Sequence, residues 1–344
     1  MPREWGSWVG WSCGVPPRAI RTIREHCHSH DSVCPMSMMV RDDRSPRTEP
    51  TAPGRHPRGR IAVRVEAAGS LELDPRPTQI VNFGSQVLHG TVGIPAARRV
   101  TEAAGVRTID IPTILLSVLP HFASVHHVDV PADWIAHALE DVAAAGALDE
   151  LRLVTSGYFA APAQAAAVAA WLRPRPGPAL PFLLDPTLGD IELGFYTDPA
   201  LVDTLRDELV PLASGMTPNL FELAHLSGAP LASLTSPAPI ARAARSLMSP
   251  QTQWVVVTGV RSPVTASVGE VIVTATEHCA HWHAPIRTSA KGLGDTFTAA
   301  LAIELLANPD PAAGAFPGLP QLAAAVDAAA EAVRRATTTS HDLI

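Results

Sequence analysis

The stretch Thr288-Ser-Ala-Lys-Gly-Leu-Gly-Asp-Thr-Phe297 contains Lys291, the only lysine of the 344-residue chain. The residues that follow, 296–306, are rich in alanine and leucine and predict a helix. Glycines ahead of a helix N-terminus let backbone N–H groups approach an anion, and the helix dipole favours negative charge there. A phosphate would repel an aspartate at that point, which favours Asp295 as a proton acceptor beside a transferring group. The stretch therefore predicts a phosphoryl-transfer site, the alternative being an ordinary glycine-rich turn capped by Asp295.

Outward from this stretch, apolar runs that suit strands alternate with segments that suit helices. Helices are predicted at 92–104, at 131–145 and in an alanine-rich segment that ends near residue 172. The predicted strands are 80–83, 106–111, 151–154, 181–184 and 254–257. Such alternation predicts an α/β fold in which helices cover both faces of a mainly parallel sheet, with a surface loop at 174–178.

Polar residues follow these apolar runs directly. In a parallel sheet the ligand lies beyond the carboxyl ends of the strands, so these segments should converge on one rim that faces the glycine loop, although each alone is a common turn. They are Gly84-Ser85, Ser156-Gly-Tyr158, residues 185–190, Thr217-Pro-Asn219 and Thr258-Gly259. Asp185, Asp190 and Glu222 supply the oxygen ligands that magnesium prefers. For Glu222 the alternative is a first-turn carboxylate that the helix dipole stabilises.

Composition narrows the class of protein. Hydrophobic residues make up 47% of the chain, which is ample for a core, and no run approaches the roughly 20 apolar residues that span a bilayer. The net charge of −7 provides no basic surface for nucleic acid. Three of the four cysteines lie in the first 34 residues, which is no disulfide framework and favours a cytoplasmic location.

Residues 1–75 differ from the rest of the chain. They are rich in arginine, contain scattered prolines and show no sustained periodicity, which is typical of a disordered extension. A mis-assigned start is the alternative, since Met36, Met38 and Met39 are each possible first residues, and an arginine-rich transit peptide is another. His26, His28, His30 and Cys34 match no standard zinc-finger spacing. We assign this region no function and expect the folded domain to span 76–340.

Six motifs between about residues 80 and 306 resemble the ribokinase-like vitamin B6 kinases in order and spacing. The glycine motif alone would indicate only the wider superfamily of sugar and vitamin kinases, and the first two motifs below narrow it. The six are Ser85-Gln-Val-Leu-His-Gly-Thr-Val-Gly93, Ile111-Pro-Thr-Ile-Leu-Leu-Ser117, Asp185-Pro-Thr-Leu-Gly-Asp-Ile-Glu-Leu-Gly-Phe-Tyr196, Gly215-Met-Thr-Pro-Asn-Leu-Phe-Glu-Leu223, Trp254-Val-Val-Val-Thr258 and Lys291-Gly-Leu-Gly-Asp295. The resemblance implies a three-layer α/β/α ribokinase-like fold.

The resemblance also implies roles for individual residues. Asp295 would accept the proton of the 5′-hydroxymethyl group as it attacks the γ-phosphate, and the N–H groups of Gly292 and Gly294 would stabilise the transferring phosphoryl. The implied ATP-side residues are Asp185, Thr217, Thr258, Lys291, Gly292, Leu293 and Gly294. Tyr196, Glu222 and Asp190 are implied on the metal side, and Ser85, His121 and Asp295 on the substrate side. For Lys291 the alternative is a solvated loop lysine.

The departures from the family pattern cluster in residues 117–130, which form the substrate-side lid in the family. Val118 and Leu119 stand where the family usually carries Asn-Thr or Asn-His, and Phe122 where it carries tyrosine. His126 and His127 fall in a stretch that is usually aromatic-Gly-Gly; they are either replacement contacts or surface residues. The residues for phosphoryl transfer are kept while those for ring recognition have changed, so the preferred vitamer stays open.

Taken as a family member, the chain is expected to phosphorylate pyridoxal, pyridoxine or pyridoxamine with ATP as co-substrate. The resemblance implies Mg²⁺, allows a monovalent cation beside it, and implies a homodimer. Two alternatives remain open: a kinase for a related compound such as hydroxymethylpyrimidine, and a non-catalytic protein that binds vitamer or nucleotide. The conservation of the glycine motif and the carboxylates within this one chain's pattern argues against the second alternative.

Overall fold

The structure is a computed structural model that describes residue 74 and residues 76–173, 180–286, 288–307 and 318–341. All of them belong to the second of two units, Ser70–Ile344. Except at Asp74, the expectations for residues 1–75 lie outside the described residues, as does the predicted loop at 174–178. Among the described helices, none is both long enough and apolar enough to cross a lipid bilayer.

Strands and helices alternate along the described chain, as the apolar runs predict. The strands are β1 (Thr78–His89), β2 (Arg107–Val118), β3 (His127–Asp129), β4 (Leu153–Ser156), β5 (Phe182–Leu184), β6 (Gly189–Asp190), β7 (Gly194–Phe195), β8 (Gly215–Met216), β9 (Trp254–Arg261), β10 (Val268–Thr274) and β11 (His278–His283). The helices are α1 (Ile94–Ala103), α2 (Ala132–Ala144), α3 (Pro162–Leu172), α4 (Leu201–Thr204), α5 (Leu220–Ser227), α6 (Pro237–Ser246), α7 (Leu293–Ala307) and α8 (Leu319–His341). A π-helical turn (Leu205–Leu209) and two 3-10 turns (Val210–Leu212 and Leu231–Ser233) complete the set.

Nine of these strands form one sheet in the order β11-β10-β9-β8-β5-β4-β1-β2-β3. The central pairs are parallel, whereas β3 on one edge and β10 and β11 on the other run antiparallel to their neighbours. Strands β6 and β7 form a separate hairpin. The prediction of a mainly parallel sheet is therefore confirmed.

Helices cover both faces of this sheet. Because successive strand residues point to opposite faces, one face presents Val81, Phe83 and Val257 to α2, α3, α4, α5 and α6. The opposite face presents Ile80 and Val256 to α7 and α8, with α1 beside α7. Burying nearly continuous apolar strands on both sides is typical of parallel sheets, and it gives the three-layer α/β/α architecture.

Three predicted boundaries were wrong, and each concerns the site. Strand β1 runs through Ser85 instead of ending at a turn, because it pairs with β2 as far as His89 and absorbs the predicted turn as a bulge. Strand β9 continues past Thr258 because it pairs with β10 as far as Arg261. Helix α7 begins at Leu293 rather than residue 296, which places Asp295 inside its first turn.

Candidate active site

The glycine loop before α7 packs directly against the β1–α1 connection. Gly292 has a φ of 81°, which favours glycine, and a Cβ added there would lie 2.0 Å from the carbonyl oxygen of Thr91. The Thr296 N–H and hydroxyl both donate to the Gly292 carbonyl, at 3.0 and 2.8 Å. Contact on one side and hydrogen bonds on the other fix the loop, and its first helical turn leaves N–H groups of the kind that bind anions.

Asp295 lies in the first turn of α7, where a second glycine contacts it. The N–H groups of Gly93 and of Asp295 itself donate to its carboxylate; burial raises the pKa of this carboxyl, and those hydrogen bonds lower it. Gly93 has a φ of 58°, and a Cβ there would lie 2.2 Å from the Ser85 hydroxyl. The structure thus brings Ser85 and Asp295 to the two sides of Gly93, as the converging-rim prediction requires.

Asp185 follows β5 and is joined to α7 by hydroxyl groups. The Thr298 and Thr187 hydroxyls each donate to its carboxylate at 3.1 Å. The Thr217 and Thr298 hydroxyls lie 2.9 Å apart, and because the Thr298 proton goes to Asp185, Thr217 is the donor in that pair. Burial, reinforced by the charge of Asp295, raises the pKa of Asp185 to about 7. Asp185, Thr217 and Asp295 therefore belong to one connected cluster.

Glu222 lies at the start of α5 and is buried. It forms a capping box in which the Asn219 N–H donates to its carboxylate at 2.8 Å and its own N–H donates to the Asn219 side chain at 3.0 Å. The Leu188 N–H adds a third bond at 3.1 Å. Burial, and then the charge of Asp185, raises the pKa of Glu222 well above its usual value. The helix-terminus alternative describes its contacts, while its position faces the Asp185 cluster.

Asp190 and Tyr196 flank this carboxylate on the β6–β7 hairpin. Asp190 accepts hydrogen bonds from the Glu192 and Leu193 N–H groups at 2.8 and 2.7 Å, which shape the turn. The Tyr196 side chain is 45% exposed. Partial desolvation of its hydroxyl and the charges of Glu222, Asp185, Asp190 and Asp295 raise the pKa of Tyr196. The three predicted metal-side residues therefore share one negatively charged region.

The donor chemistry of this region suits magnesium shared with a phosphate. Its carboxylates are buried with raised pKa values, and none of the ion pairs between described residues includes Asp185, Glu222 or Asp295. Within the described residues, no three His, Cys, Asp or Glu side chains lie close enough to hold a metal by themselves. Magnesium commonly takes only one or two carboxylates and completes its coordination with water and substrate phosphates. The residues fit that arrangement.

The substrate-side predictions are divided between two places. Ser85 is buried beside Gly93, whereas His121 is exposed and its ring lies 4.5 Å from that of Phe122. Among the described residues, no hydrogen bond, ion pair or ring contact connects His121 to Ser85 or Asp295. The structure therefore assembles the Ser85 side and leaves His121 apart from it, on the lid.

The lid is anchored at its far end. Within it, β3 pairs with Ile114–Leu116 of β2, so His127 lies in a strand and His126 just before it. The buried Gln164 side chain donates to the carbonyls of Thr113 and Val130 at 2.8 and 2.6 Å. These bonds hold both ends of the segment while residues 119–126 carry no regular structure.

Lys291, Leu293 and Thr258 complete the predicted ATP side. Lys291 is exposed and, with Leu293, lines a cavity of ≈ 810 Å³ between α1, α7 and α8. Thr258 is half-buried, and its N–H donates to the Pro218 carbonyl at 2.9 Å. That bond draws β9 against the segment that follows Thr217. Lys291 thus lies on the α1 side of the loop and Thr258 on the β8–β9 side.

Two residues in the cluster were not predicted as site residues. Thr298 lies one helical turn after Asp295 on the same face of α7, a spacing visible in the sequence once the helix start is known. Gly93 had a weaker signal, a glycine directly before a helix. Its N–H contact with Asp295 depends on residues far away in the sequence.

The comparisons with known proteins agree with this geometry. The family model described as "Phosphomethylpyrimidine kinase" matches residues 89–341. A pyridoxine/pyridoxal/pyridoxamine kinase of Bordetella bronchiseptica is 39% identical over 251 residues, which cover 72% of this chain and 87% of the relative.

Solved structures resemble the fold. A pyridoxal kinase from Entamoeba histolytica matches with a TM-score of 0.65 and 19% identity over 76% of this chain and 88% of that one. A pyridoxal kinase from Leishmania donovani, solved with ADP and pyridoxamine, matches with a TM-score of 0.59 and 22% identity over 67% of this chain and 83% of that one. At these identities the structural likeness bears on the fold alone.

Proposed function

Because this chain belongs to the phosphomethylpyrimidine kinase family and is one of its vitamin B6 kinases, we propose that the site around Asp295 phosphorylates B6 vitamers. The reaction transfers the γ-phosphoryl group of ATP to the 5′-hydroxymethyl group of pyridoxal, pyridoxine or pyridoxamine. The observation that carries the proposal is the arrangement of Asp295, which meets the Ser85–Gly93 segment on one side and the glycine loop on the other.

Proton transfer is the task of Asp295 in this reaction. As the 5′-oxygen forms its bond to the γ-phosphorus, the hydroxyl proton passes to the carboxylate and the bond to the ADP oxygen breaks. Burial makes Asp295 more basic than an ordinary aspartate, while the Gly93 N–H keeps it oriented. A base whose direction is fixed before the substrate arrives loses less entropy in the transition state.

Charge stabilisation is the task of the loop and the carboxylate region. The N–H groups of residues 292–295 would face the transferring phosphoryl, an arrangement that contributes several kcal/mol in related chemistry. We propose Asp185, Thr217, Thr258, Lys291 and Leu293 on the ATP side, and Tyr196, Glu222 and Asp190 around Mg²⁺. The ion would neutralise phosphate charge; a monovalent cation beside it stays a prediction. No covalent enzyme intermediate is needed.

A kinase for hydroxymethylpyrimidine is the second candidate, and one observation favours it. The lid carries Val118 and Leu119 where the resemblance expects polar side chains, and both are half-buried. Polar groups that recognise a ring give strong discrimination, so their loss changes which ring binds. The homodimer and the cytoplasmic location stay predictions; the first rests on the resemblance and the second on the cysteine distribution.

The test is ATP consumption by the purified chain with Mg²⁺ against pyridoxal, pyridoxine, pyridoxamine and hydroxymethylpyrimidine in parallel. We expect turnover on at least one vitamer at micromolar concentration. Activity on the pyrimidine alone would assign the chain to the second candidate. Silence on all four substrates, with ATP still bound in calorimetry, would contradict catalysis and support the non-catalytic alternative.

A further inference from the structure

A small polar cavity lies beneath Asp295, between the carboxyl ends of β1, β4 and β5 and the first turns of α7. Its volume is ≈ 20 Å³, which is room for about one water molecule. The polar residues that line it are Asn82, Thr155, Ser156, Asp185, Asp295 and Thr298. A buried water needs about two to four polar partners, and this lining offers more than that number.

Ser156 is the residue in this lining whose needs are unmet. It is 2% exposed, and its hydroxyl has no hydrogen-bond partner among the described residues. Its main chain is engaged, because the Asp185 N–H donates to the Ser156 carbonyl at 2.9 Å, so the strand holds the side chain in place. A buried hydroxyl without a partner costs about 1–3 kcal/mol, which points to a ligand that the hydroxyl contacts.

The other polar groups narrow the partners of that ligand. The Thr155 hydroxyl donates to Asn82 at 2.9 Å, and the Asn82 amide donates to Asp110 at 3.1 Å, so these two already satisfy each other. The Thr298 hydroxyl donates to Asp185. What remains are the Ser156 hydroxyl and the carboxylates of Asp185 and Asp295, which accept hydrogen bonds.

We propose that a single water molecule occupies this cavity, accepts a hydrogen bond from Ser156 and donates to the carboxylates of Asp185 and Asp295. Water suits the position because it has two protons for two acceptors and carries no charge. Ser156 is then a positioning residue: it holds the water, and the water holds Asp295 toward the 5′-hydroxyl. The proposal rests on the proposed kinase reaction only for its effect on rate.

Crystallography tests the water independently of activity. In crystals of the unliganded chain we expect water density within hydrogen-bonding distance of the Ser156 hydroxyl and of at least one carboxylate, and its loss in Ser156→Ala. An empty wild-type cavity overturns the proposal. So does a cation, recognised by anomalous signal at this position after rubidium soaking. Because neither outcome depends on turnover, failure here is distinguishable from failure of the vitamer assay.

Kinetics tests the positioning role. We expect Ser156→Ala to lower kcat about tenfold, with the KM of ATP and vitamer within about twofold, as for loss of a contact that acts in the transition state. Ser156→Thr keeps the hydroxyl and should hold kcat within about threefold. The matched control is Ser214→Ala, an equally buried serine at the amino end of β8. Equal kcat for Ser156→Ala and Ser214→Ala overturns the role, and if Ser156→Ala fails to fold, a tenfold loss in Ser156→Thr does so.

Discussion

Asp295 meets three requirements of a general base through contacts made by its own atoms and its neighbours. It is desolvated, it accepts an N–H bond from Gly93, and it stands at a helix N-terminus where a phosphate would also bind. Two anions in one place repel each other unless a proton or a cation intervenes. At the scale of the residue, the site is therefore stable as a folded unit only at a cost that substrate and magnesium offset.

We predict that Asp295→Ala lowers kcat by about 10²–10⁴-fold, because proton transfer to a positioned base contributes that much. ATP affinity should change little, since no step of binding requires the base. Steady-state rates and ATP titration calorimetry measure the two effects. Asp133→Ala, on the exposed start of α2, is the control. A near-normal kcat for Asp295→Ala would remove this carboxylate from the mechanism.

The lid carries the prediction for substrate preference at the scale of the element. Val118 ends β2 opposite His89, and the Leu119 side chain lies 3.4 Å from where a Cβ on Gly90 would be. We predict that Val118→Asn with Leu119→Thr lowers the KM for pyridoxal about tenfold with kcat little changed, since one buried polar contact contributes about 1–3 kcal/mol.

The control for the lid is Leu115→Asn, an exposed position in the same strand. Initial rates across pyridoxal concentration give both constants. An unchanged or raised KM in the double variant would mean that the lid recognises a different ring, which favours the pyrimidine candidate.

The antiparallel edge of the sheet carries a prediction for stability. Glu270 on β10 is buried with one carboxylate oxygen unpartnered among the described residues, and the other lies 3.4 Å from the His283 ring. Burial raises the pKa of Glu270, and the nearby His283 lowers it. A carboxyl with a raised pKa holds its proton longer in the folded state, so the free energy of unfolding falls as pH rises above the usual glutamate range.

We therefore predict that Glu270→Gln raises Tm at pH 8 by about 2–4 °C and raises it less, or not at all, at pH 4. Thermal melts of both proteins at the two pH values give the difference. Glu277→Gln, an exposed acid in the adjacent turn, should show neither effect. An equal Tm difference at both pH values would contradict the burial of an ionised Glu270.

Local signals predicted the elements and the main carboxylates, and non-local pairing explains the misses. Asp295 follows a glycine motif and Asp185 follows an apolar run, so each is readable from its neighbours. Ser85 was placed in a turn because the pairing of β1 with β2 beyond the bulge depends on residues 107–118. Thr298 was missed because the helix start was set at residue 296, which hid the shared face with Asp295.

At the scale of the whole molecule, the family match begins at residue 89, and the described part of the chain begins at Asp74. Arg107 donates to the Asp74 carbonyl at 2.8 Å, and Arg76 donates to the Gly105 carbonyl at 2.9 Å. These bonds attach the residues just before β1 to the start of β2. They mark where a shortened chain should begin.

We predict that a chain starting at Ser70 keeps kcat within about twofold and keeps its Tm, because it retains these bonds. A chain starting at Thr78 loses them and should lower Tm by about 2–4 °C. Vitamer assays and thermal melts on both truncations and the full chain make the comparison. A large loss of activity in the chain from Ser70 would assign the first 69 residues a function.

The contact of Gly292 with Thr91 and of Asp295 with Gly93 joins segments separated by roughly two hundred residues of sequence. During synthesis, the ribosome releases the β1–α1 segment long before α7 exists, so most of the sheet can form while the base is still untranslated. Prematurely terminated chains consequently bury much of the core yet lack both the base and the glycine loop. Such fragments cannot consume ATP, so kinase activity itself reports that translation reached the last third of the message.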